Sequence, residues 1–312
     1  MATYVTVDGG TTNTRISLVK DRVIKDTLKF KVGARLGALD KALYKNTIKN
    51  GISDLLVRNG ISETEVERIL ASGMITSDSG LYALEHITLP AGIKELKEAS
   101  EEVLIPDVSR IPFVFVRGVR TSGGSLDSVD IMRGEETEIY GIAEDGESDV
   151  LYMLMGSHTK IIKLGEDGKI SGFTTMLTGE MAAALSENTI LKDAVNLNSE
   201  KLVEEYLLKG YRYSLEYGIN EALFKVRILK NVFKKSASEL YSFYMGVILS
   251  NEIRYVLKEV KTKVVVAGKR QLKNAVSMIL KSEGVENVIA LGDEAVDASV
   301  SKGLVKIYEY KD

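Results

Sequence analysis

Apolar positions alternate at the start of the chain: Tyr4, Val5 and Val7 lead into Asp8-Gly-Gly-Thr-Thr-Asn13, then Arg15 to Val19, then Val23-Ile24 and a polar run to Phe30. Alternation broken by a Gly-rich turn predicts strand, turn, strand, turn, strand, an antiparallel meander. Over 38–59 the spacing changes. Leu39, Ala42, Leu43, Ile48, Ile52, Leu55 and Leu56 predict an amphipathic helix. Ser62 with Glu65 has the form of a capping box opening a short helix, and Ile69-Leu-Ala71 reads as a buried strand ending at Ser72-Gly73. The only prolines, Pro90, Pro106 and Pro112, fall in an irregular stretch before the strand Phe113–Val116.

A second strand cluster begins at Val150. It runs through Val150–Met155, the turn Gly156-Ser157, Thr159–Leu164, a hairpin turn at Glu166–Lys169 and a third strand, Ile170–Met176. Both meanders lead into helical sequence. Ser236 with Glu239 caps a long helix through Leu240, Phe243, Tyr244, Val247, Ile253 and Val256. The end of the chain alternates strand Lys263–Ala267, helix from Gln271, strand Asn287–Leu291 and helix from Glu294. Two meander-plus-helix halves predict a duplicated, two-lobed α/β protein. The boundary is expected in the polar segment 144–149, giving lobes 1–145 and 146–312, with the last helix free to pack back on the first lobe.

Composition narrows the chemistry. Of 312 residues, 41 are basic and 44 acidic, a net charge of -3, and this balance argues against nucleic acid or an anionic membrane as partner. Cysteine is absent, which excludes disulfides, thiolate metal sites and a Cys nucleophile. With only His86 and His158, a His-rich metal centre is excluded too, so a divalent ion would take carboxylates and phosphate oxygens, the preference of Mg²⁺. No apolar run approaches the roughly 20 residues that cross a bilayer. The first residues have neither the basic flank nor the apolar core of a signal peptide, so the expected compartment is the cytoplasm.

Four segments can carry chemistry. In Asp8-Gly9-Gly10-Thr11-Thr12-Asn13 the glycines let the backbone approach a phosphate, and their N–H groups join the threonine hydroxyls as donors. Asp8 would act through Mg²⁺ or an ordered water; the same residues also suit a plain hairpin turn. Met132-Arg133-Gly134-Glu135-Glu136-Thr137-Glu138 opens a helix with an acidic cluster. Carboxylates there complement the helix dipole, but the Arg-Gly lead-in bares the helix start, and a carboxylate there could take a hydroxyl proton. Gly156-Ser157-His158-Thr159-Lys160 is a second tight turn with hydroxyls and a cation, suited to β- and γ-phosphates or to an ordinary hairpin. Val264–Gly268 is a buried strand leading through glycine to a helix, where nucleotides commonly sit.

In combination these segments resemble the sugar kinases of the actin/hexokinase-like ATPase fold, built from duplicated ribonuclease H-like domains. Val7–Arg15, Ala71-Ser-Gly-Met74, Met132–Thr137, Gly156–Lys160, Met176-Leu-Thr-Gly-Glu180 and Leu291-Gly-Asp293 look like the 2-dehydro-3-deoxygalactonokinase family over nearly the whole chain. The resemblance implies ATP as co-substrate, Mg²⁺ near Asp8, and phosphorylation of the terminal hydroxyl of 2-dehydro-3-deoxy-D-galactonate. It also implies two lobes that close on the substrate. It gives Glu135 as the base, with Glu136 as the neighbouring choice. Asp8–Asn13, Gly156–Lys160 and Gly268 become the nucleotide and phosphate contacts. Ser72, Gly73, Met74, Arg15 and Arg133 become the substrate contacts, with Arg120 a further candidate for the substrate carboxylate. Two departures stand out: Gly9, where family members often have Trp, and Lys269-Arg270 in the late loop. A kinase for the epimeric 2-dehydro-3-deoxygluconate, or a non-catalytic nucleotide-binding actin-like protein, would share most of these features.

Overall fold

The computed structural model describes residues 2–199 and 201–311. The chain divides into two compact units, Met1–Ser148 with Gly165–Gly172 and Glu294–Asp312, and Asp149–Leu164 with Phe173–Asp293. The first crossing lies beside the polar 144–149 segment. The units differ from a simple 1–145 and 146–312 division because two later stretches join the first. For 165–172 the reason is a bridge in which Ala91 and Ile170 exchange backbone hydrogen bonds at 3.1 and 3.0 Å.

The first unit carries β1 (Thr3–Gly9), β2 (Thr14–Lys20), β3 (Val23–Phe30), α1 (Ala34–Gly37), α2 (Lys41–Asn59), β4 (Arg68–Gly73), β5 (Ile87–Thr88), α3 (Ile93–Glu98), β6 (Glu101–Val103), β7 (Phe113–Phe115), β8 (Val119–Arg120), β9 (Ile131–Met132) and α4 (Glu135–Ile142). Its main sheet has the order β3-β2-β1-β4-β7-β6, and β5-β8-β9, on either side of the proline-bearing stretch expected to be irregular, form a small second sheet. Strand β1 is buried on both faces, as a central strand must be. Helix α2 starts under Asp40, whose carboxylate accepts from the Leu43 N–H at 2.8 Å. Its buried stripe is Tyr44, Ile48, Ile52, Leu55 and Leu56. Leu39, Ala42 and Leu43, expected on that stripe, are instead exposed: Leu39 precedes the Asp40 cap, and Ala42 and Leu43 fall on the solvent side of a stripe that begins at Tyr44.

The second unit carries β10 (Val150–Met155), β11 (Thr159–Leu164), β12 (Ile170–Met176), α5 (Thr178–Asn188), α6 (Glu204–Tyr217), α7 (Ile219–Asn231), α8 (Ala237–Ile248), α9 (Ser250–Glu259), β13 (Lys263–Gly268), α10 (Arg270–Ser282) and β14 (Val288–Ala290). Its sheet order is β12-β11-β10-β13-β14. The long helix expected after Ser236 is two helices, α8 and α9, divided at Leu249. The two main sheets repeat one plan: an antiparallel meander whose first strand pairs in parallel with a later strand, β1 with β4 and β10 with β13.

The last helix, α11 (Asp293–Glu309), belongs to the first unit from Glu294 onward. The Thr6 and Ser301 hydroxyls meet at 2.8 Å, and Tyr4 packs edge-on against Tyr308 at 5.5 Å. Against α4 it makes a backbone contact that leaves no room for side chains. A Cβ on Gly303 would lie 1.9 Å from the Thr137 carbonyl oxygen. Gly303→Ala should therefore cost about 1–3 kcal/mol through forced separation of the two helices, read as a lower Tm. Lys302→Ala, at an exposed neighbour, should stay within about 0.5 kcal/mol. Equal melting curves for the two variants would contradict this packing.

Candidate active site

In the first unit the candidate residues gather where β1 and β4 end. The strands pair in parallel with Asp8 opposite Ser72 and Gly9 opposite Gly73. Gly73 has φ +88°, and a Cβ on it would lie 2.7 Å from the Gly9 carbonyl oxygen. Gly134, φ +111°, comes next: its Cβ position is 3.1 Å from the Gly73 Cα. Only glycine combines this left-handed backbone with so close an approach. The contact sets the N-terminus of α4, and with it Glu135, against the end of β4.

The Gly10 N–H donates to the Asn13 carbonyl at 2.9 Å, closing the turn after β1 and leaving Thr11, Thr12 and Asn13 exposed. The turn is tied to α1 by the Ala34 and Arg35 N–H groups, which donate to the Gly10 and Thr11 carbonyls at 3.1 and 3.0 Å. Arg15 faces Asp8 across the β1–β2 ladder, 3.6 Å from its Oδ2, and reaches Asp297 Oδ1 on α11 at 3.1 Å.

The acidic residues divide by burial. Glu135 is half-buried, and its Oε2 accepts from the Arg133 N–H at 3.0 Å. Glu136 is fully buried, and both its oxygens accept from the Gly134 N–H, at 2.9 and 2.8 Å. Burial, then the charge of Glu135, pushes Glu136 up to about 8. Glu138, half-buried one turn after Glu135, is pushed up to about 8 by burial, Glu135 and Asp8, with Arg15 opposing. Asp8 is raised by burial, against the pull of Arg15 and with a further push from Glu135. Asp8, Glu135, Glu138 and Arg15 thus form one interacting cluster at the end of β1.

Several expected contacts are placed elsewhere. Arg133 turns its guanidinium into the protein, Nη1 on the Thr76 carbonyl and hydroxyl at 2.6 and 2.7 Å and Nη2 on the Leu84 carbonyl at 2.9 Å, so it braces the segment after β4. Ser72 is fully buried, its hydroxyl without a hydrogen-bond partner, because the side chain of a central strand points into the core. Met74 is half-buried at the start of a 3-10 turn, Met74–Thr76. Glu136 is turned away from solvent onto the Gly134 N–H of its own helix start.

In the second unit, β10 ends at the turn Gly156–His158, and Met155 pairs with Gly268 of β13. Gly268, φ +114°, repeats the arrangement of Gly73: a Cβ there would lie 2.0 Å from the Met155 carbonyl oxygen. Ser157 is exposed and His158 partly so, 3.4 Å from Glu180. The Thr159 and Lys160 side chains are buried, because β11 has already begun. The Lys160 Nζ donates to the Thr175 hydroxyl at 2.7 Å, so the cation expected at the turn lies within the sheet. In the late loop, Arg270 Nη2 and Lys273 Nζ both hold Asp293 at 2.6 Å.

The sequence profile of the 2-keto-3-deoxy-galactonokinase family matches residues 8–307, from the Asp8 turn to the last helix. The chain belongs to this family. A probable 2-dehydro-3-deoxygalactonokinase of Rhizobium meliloti (strain 1021) is 29% identical over 131 residues, a stretch covering 41% of this chain and 40% of that relative. Among solved structures, a Sinorhizobium meliloti protein provisionally assigned as a 2-dehydro-3-deoxygalactonokinase is similar with TM-score 0.79 and 23% identity over 97% of both chains. The activator of the 2-hydroxyisocaproyl-CoA dehydratase of Clostridium difficile, solved with ADPNP, has TM-score 0.53 and 10% identity over 98% of this chain and 95% of that one. The fold of this kinase-family chain is the actin/hexokinase-like one, with the doubled sheet plan described above.

The buried Glu136 makes a pH signature. A carboxyl raised from 4.5 to about 8 binds its proton more tightly folded than unfolded, so its contribution to stability falls as pH rises through that window. Glu136→Gln lacks this slope. Its Tm relative to the parent should rise steadily from pH 5 to pH 8, while Glu138, present in both proteins, cancels. Parallel Tm–pH curves would contradict a buried, proton-holding Glu136.

Proposed function

We propose that this chain transfers the γ-phosphoryl group of ATP to the terminal hydroxyl of 2-dehydro-3-deoxy-D-galactonate, with Glu135 as general base. One observation carries the reading: the half-buried Glu135 starts a helix whose Gly134 touches Gly73, beside the Asp8 turn. Membership of the 2-keto-3-deoxy-galactonokinase family supports the reaction class and ATP as co-substrate. The turns Gly9–Asn13 and Gly156–His158 offer backbone N–H groups and hydroxyls as phosphate contacts.

Phosphoryl transfer asks little covalent chemistry of a protein; positioning and charge neutralisation dominate. Glu135 orients the sugar hydroxyl and takes its proton as the new oxygen–phosphorus bond forms and the bond to the ADP oxygen breaks. Arg15 serves the substrate carboxylate, since its guanidinium is partly exposed and its reach to Asp8 is long. Among the described residues no three carboxylates or imidazoles converge as a metal cage. Mg²⁺ fits with Asp8 as the protein carboxylate, because this ion keeps several waters and takes phosphate oxygens. When bound it would neutralise charge on the transferring group.

Glu135→Gln keeps the shape and a hydrogen-bond acceptor, so kcat should fall about 10²–10⁴-fold, the usual worth of a positioned base, with the KM for the sugar acid little changed. Steady-state kinetics with both substrates varied tests this; an unchanged kcat would remove Glu135 from the reaction. Asp8→Asn, which keeps the size of the side chain near the end of β1, should stop turnover while the circular dichroism spectrum and Tm stay those of the parent. Near-normal turnover would leave Asp8 only a turn residue.

A further inference from the structure

One buried carboxyl of the second unit has no part in the site described above. Glu252 stands in the first turn of α9 and is 2% exposed. Its Oε1 accepts from the Thr178 hydroxyl, and its Oε2 has no hydrogen-bond partner. Burial raises its pKa, which favours the neutral acid. Apolar side chains of the same volumes at Glu252 and Thr178 together would fill this place without leaving a buried oxygen unsatisfied, which makes the retained pair one in need of a reason.

The reason is visible at its partner. Thr178, itself buried, opens α5, and the first turn of α5 lies on the turn that follows β10. The Glu180 N–H donates to the Ser157 carbonyl at 3.0 Å. A Cβ on Gly179 would come within 2.2 Å of the Gly156 carbonyl oxygen, so the two backbones touch. A continuous line of contacts therefore runs from the Glu252 carboxyl through the Thr178 hydroxyl and the start of α5 to the backbone of Gly156 and Ser157.

We propose that Glu252 is a positioning residue for this phosphate-contacting turn: through Thr178 it fixes the start of α5, and α5 fixes Gly156 and Ser157. The role rests on the kinase reading above. It separates the hydrogen bond from the mere filling of space, and two substitutions exploit that. Glu252→Met keeps the volume and loses the acceptor. Its Tm should fall modestly, because the buried Thr178 hydroxyl loses its acceptor, while the KM for ATP at saturating sugar acid rises about tenfold, the scale of one lost positioned contact. The KM for the sugar acid should stay unchanged. Glu252→Gln still accepts from Thr178 and should restore the parent KM for ATP. Thr178→Val removes the same link from the other side and should reproduce the rise. The double variant should be no worse than either single one, as expected for one shared interaction. Should Glu252→Met fail to fold, Thr178→Val carries the test. A parent-like KM for ATP in the folded variants overturns the proposal alone; a parent protein that consumes no ATP overturns the kinase reading and this role with it.

Discussion

The site depends on strand ends that touch backbone to backbone. At the end of β4, Gly73 lies against the Gly9 carbonyl, and Gly134 against Gly73. Any side chain at Gly73 would meet both a left-handed backbone and a carbonyl oxygen, so the gap between β1, β4 and the start of α4 would open. The second unit repeats the device, with Gly268 at the end of β13 lying against the Met155 carbonyl of β10. In each unit the parallel partner of the meander's first strand ends on a positive-φ glycine, and the candidate phosphate turn follows that first strand. The two units thus share a backbone contact as well as a sheet plan, while the side chains around the two turns differ.

Burial then assigns the carboxylates their parts. Three glutamates open α4, and a helix N-terminus would accept any of them. Glu136 is turned inward onto the Gly134 N–H and holds the bend that Gly134 makes. Glu135 keeps contact with solvent beside Asp8, and Glu138 sits one turn further on in the same field. Burial, and then the neighbouring negative charge, raises the proton affinity of Asp8, Glu136 and Glu138, and Arg15, anchored also on Asp297, is the cation that opposes this at Asp8 and Glu138. A cluster so poised gains from any added positive charge.

Much of this was legible in the chain. Both meanders, both Gly-rich turns and the acidic helix start follow from local alternation and turn chemistry, and the family follows from the order of the motifs. What was hidden has a common cause: it depends on partners distant in sequence or on strand parity. No local signal couples Arg15 to Asp297, or Thr178 to Glu252. Lys160 reads as a turn cation even with the strand expected from Thr159, until its side chain is seen to reach across the sheet to Thr175. Arg133 reads as a substrate ligand until its donors are traced to Thr76 and Leu84. The phase of α2 was misjudged because Leu39 and Leu43 are apolar yet precede or flank the Asp40 cap. The Met176–Glu180 motif was recognisable as a signature, but its contact with the Gly156 turn was not.

The claim at the centre of this account is that Glu135, at the start of α4 behind Gly134, serves phosphoryl transfer to a sugar acid. The most direct measurement is ³¹P NMR of the purified chain incubated with ATP, Mg²⁺ and 2-dehydro-3-deoxy-D-galactonate. The account predicts a single new phosphate monoester, coupled to the methylene protons of the terminal carbon and formed one for one with ADP. Free inorganic phosphate in place of the ester, or ATP left untouched, would contradict it. A monoester formed only from the 2-dehydro-3-deoxygluconate epimer would contradict the substrate and leave the chemistry of Glu135 standing.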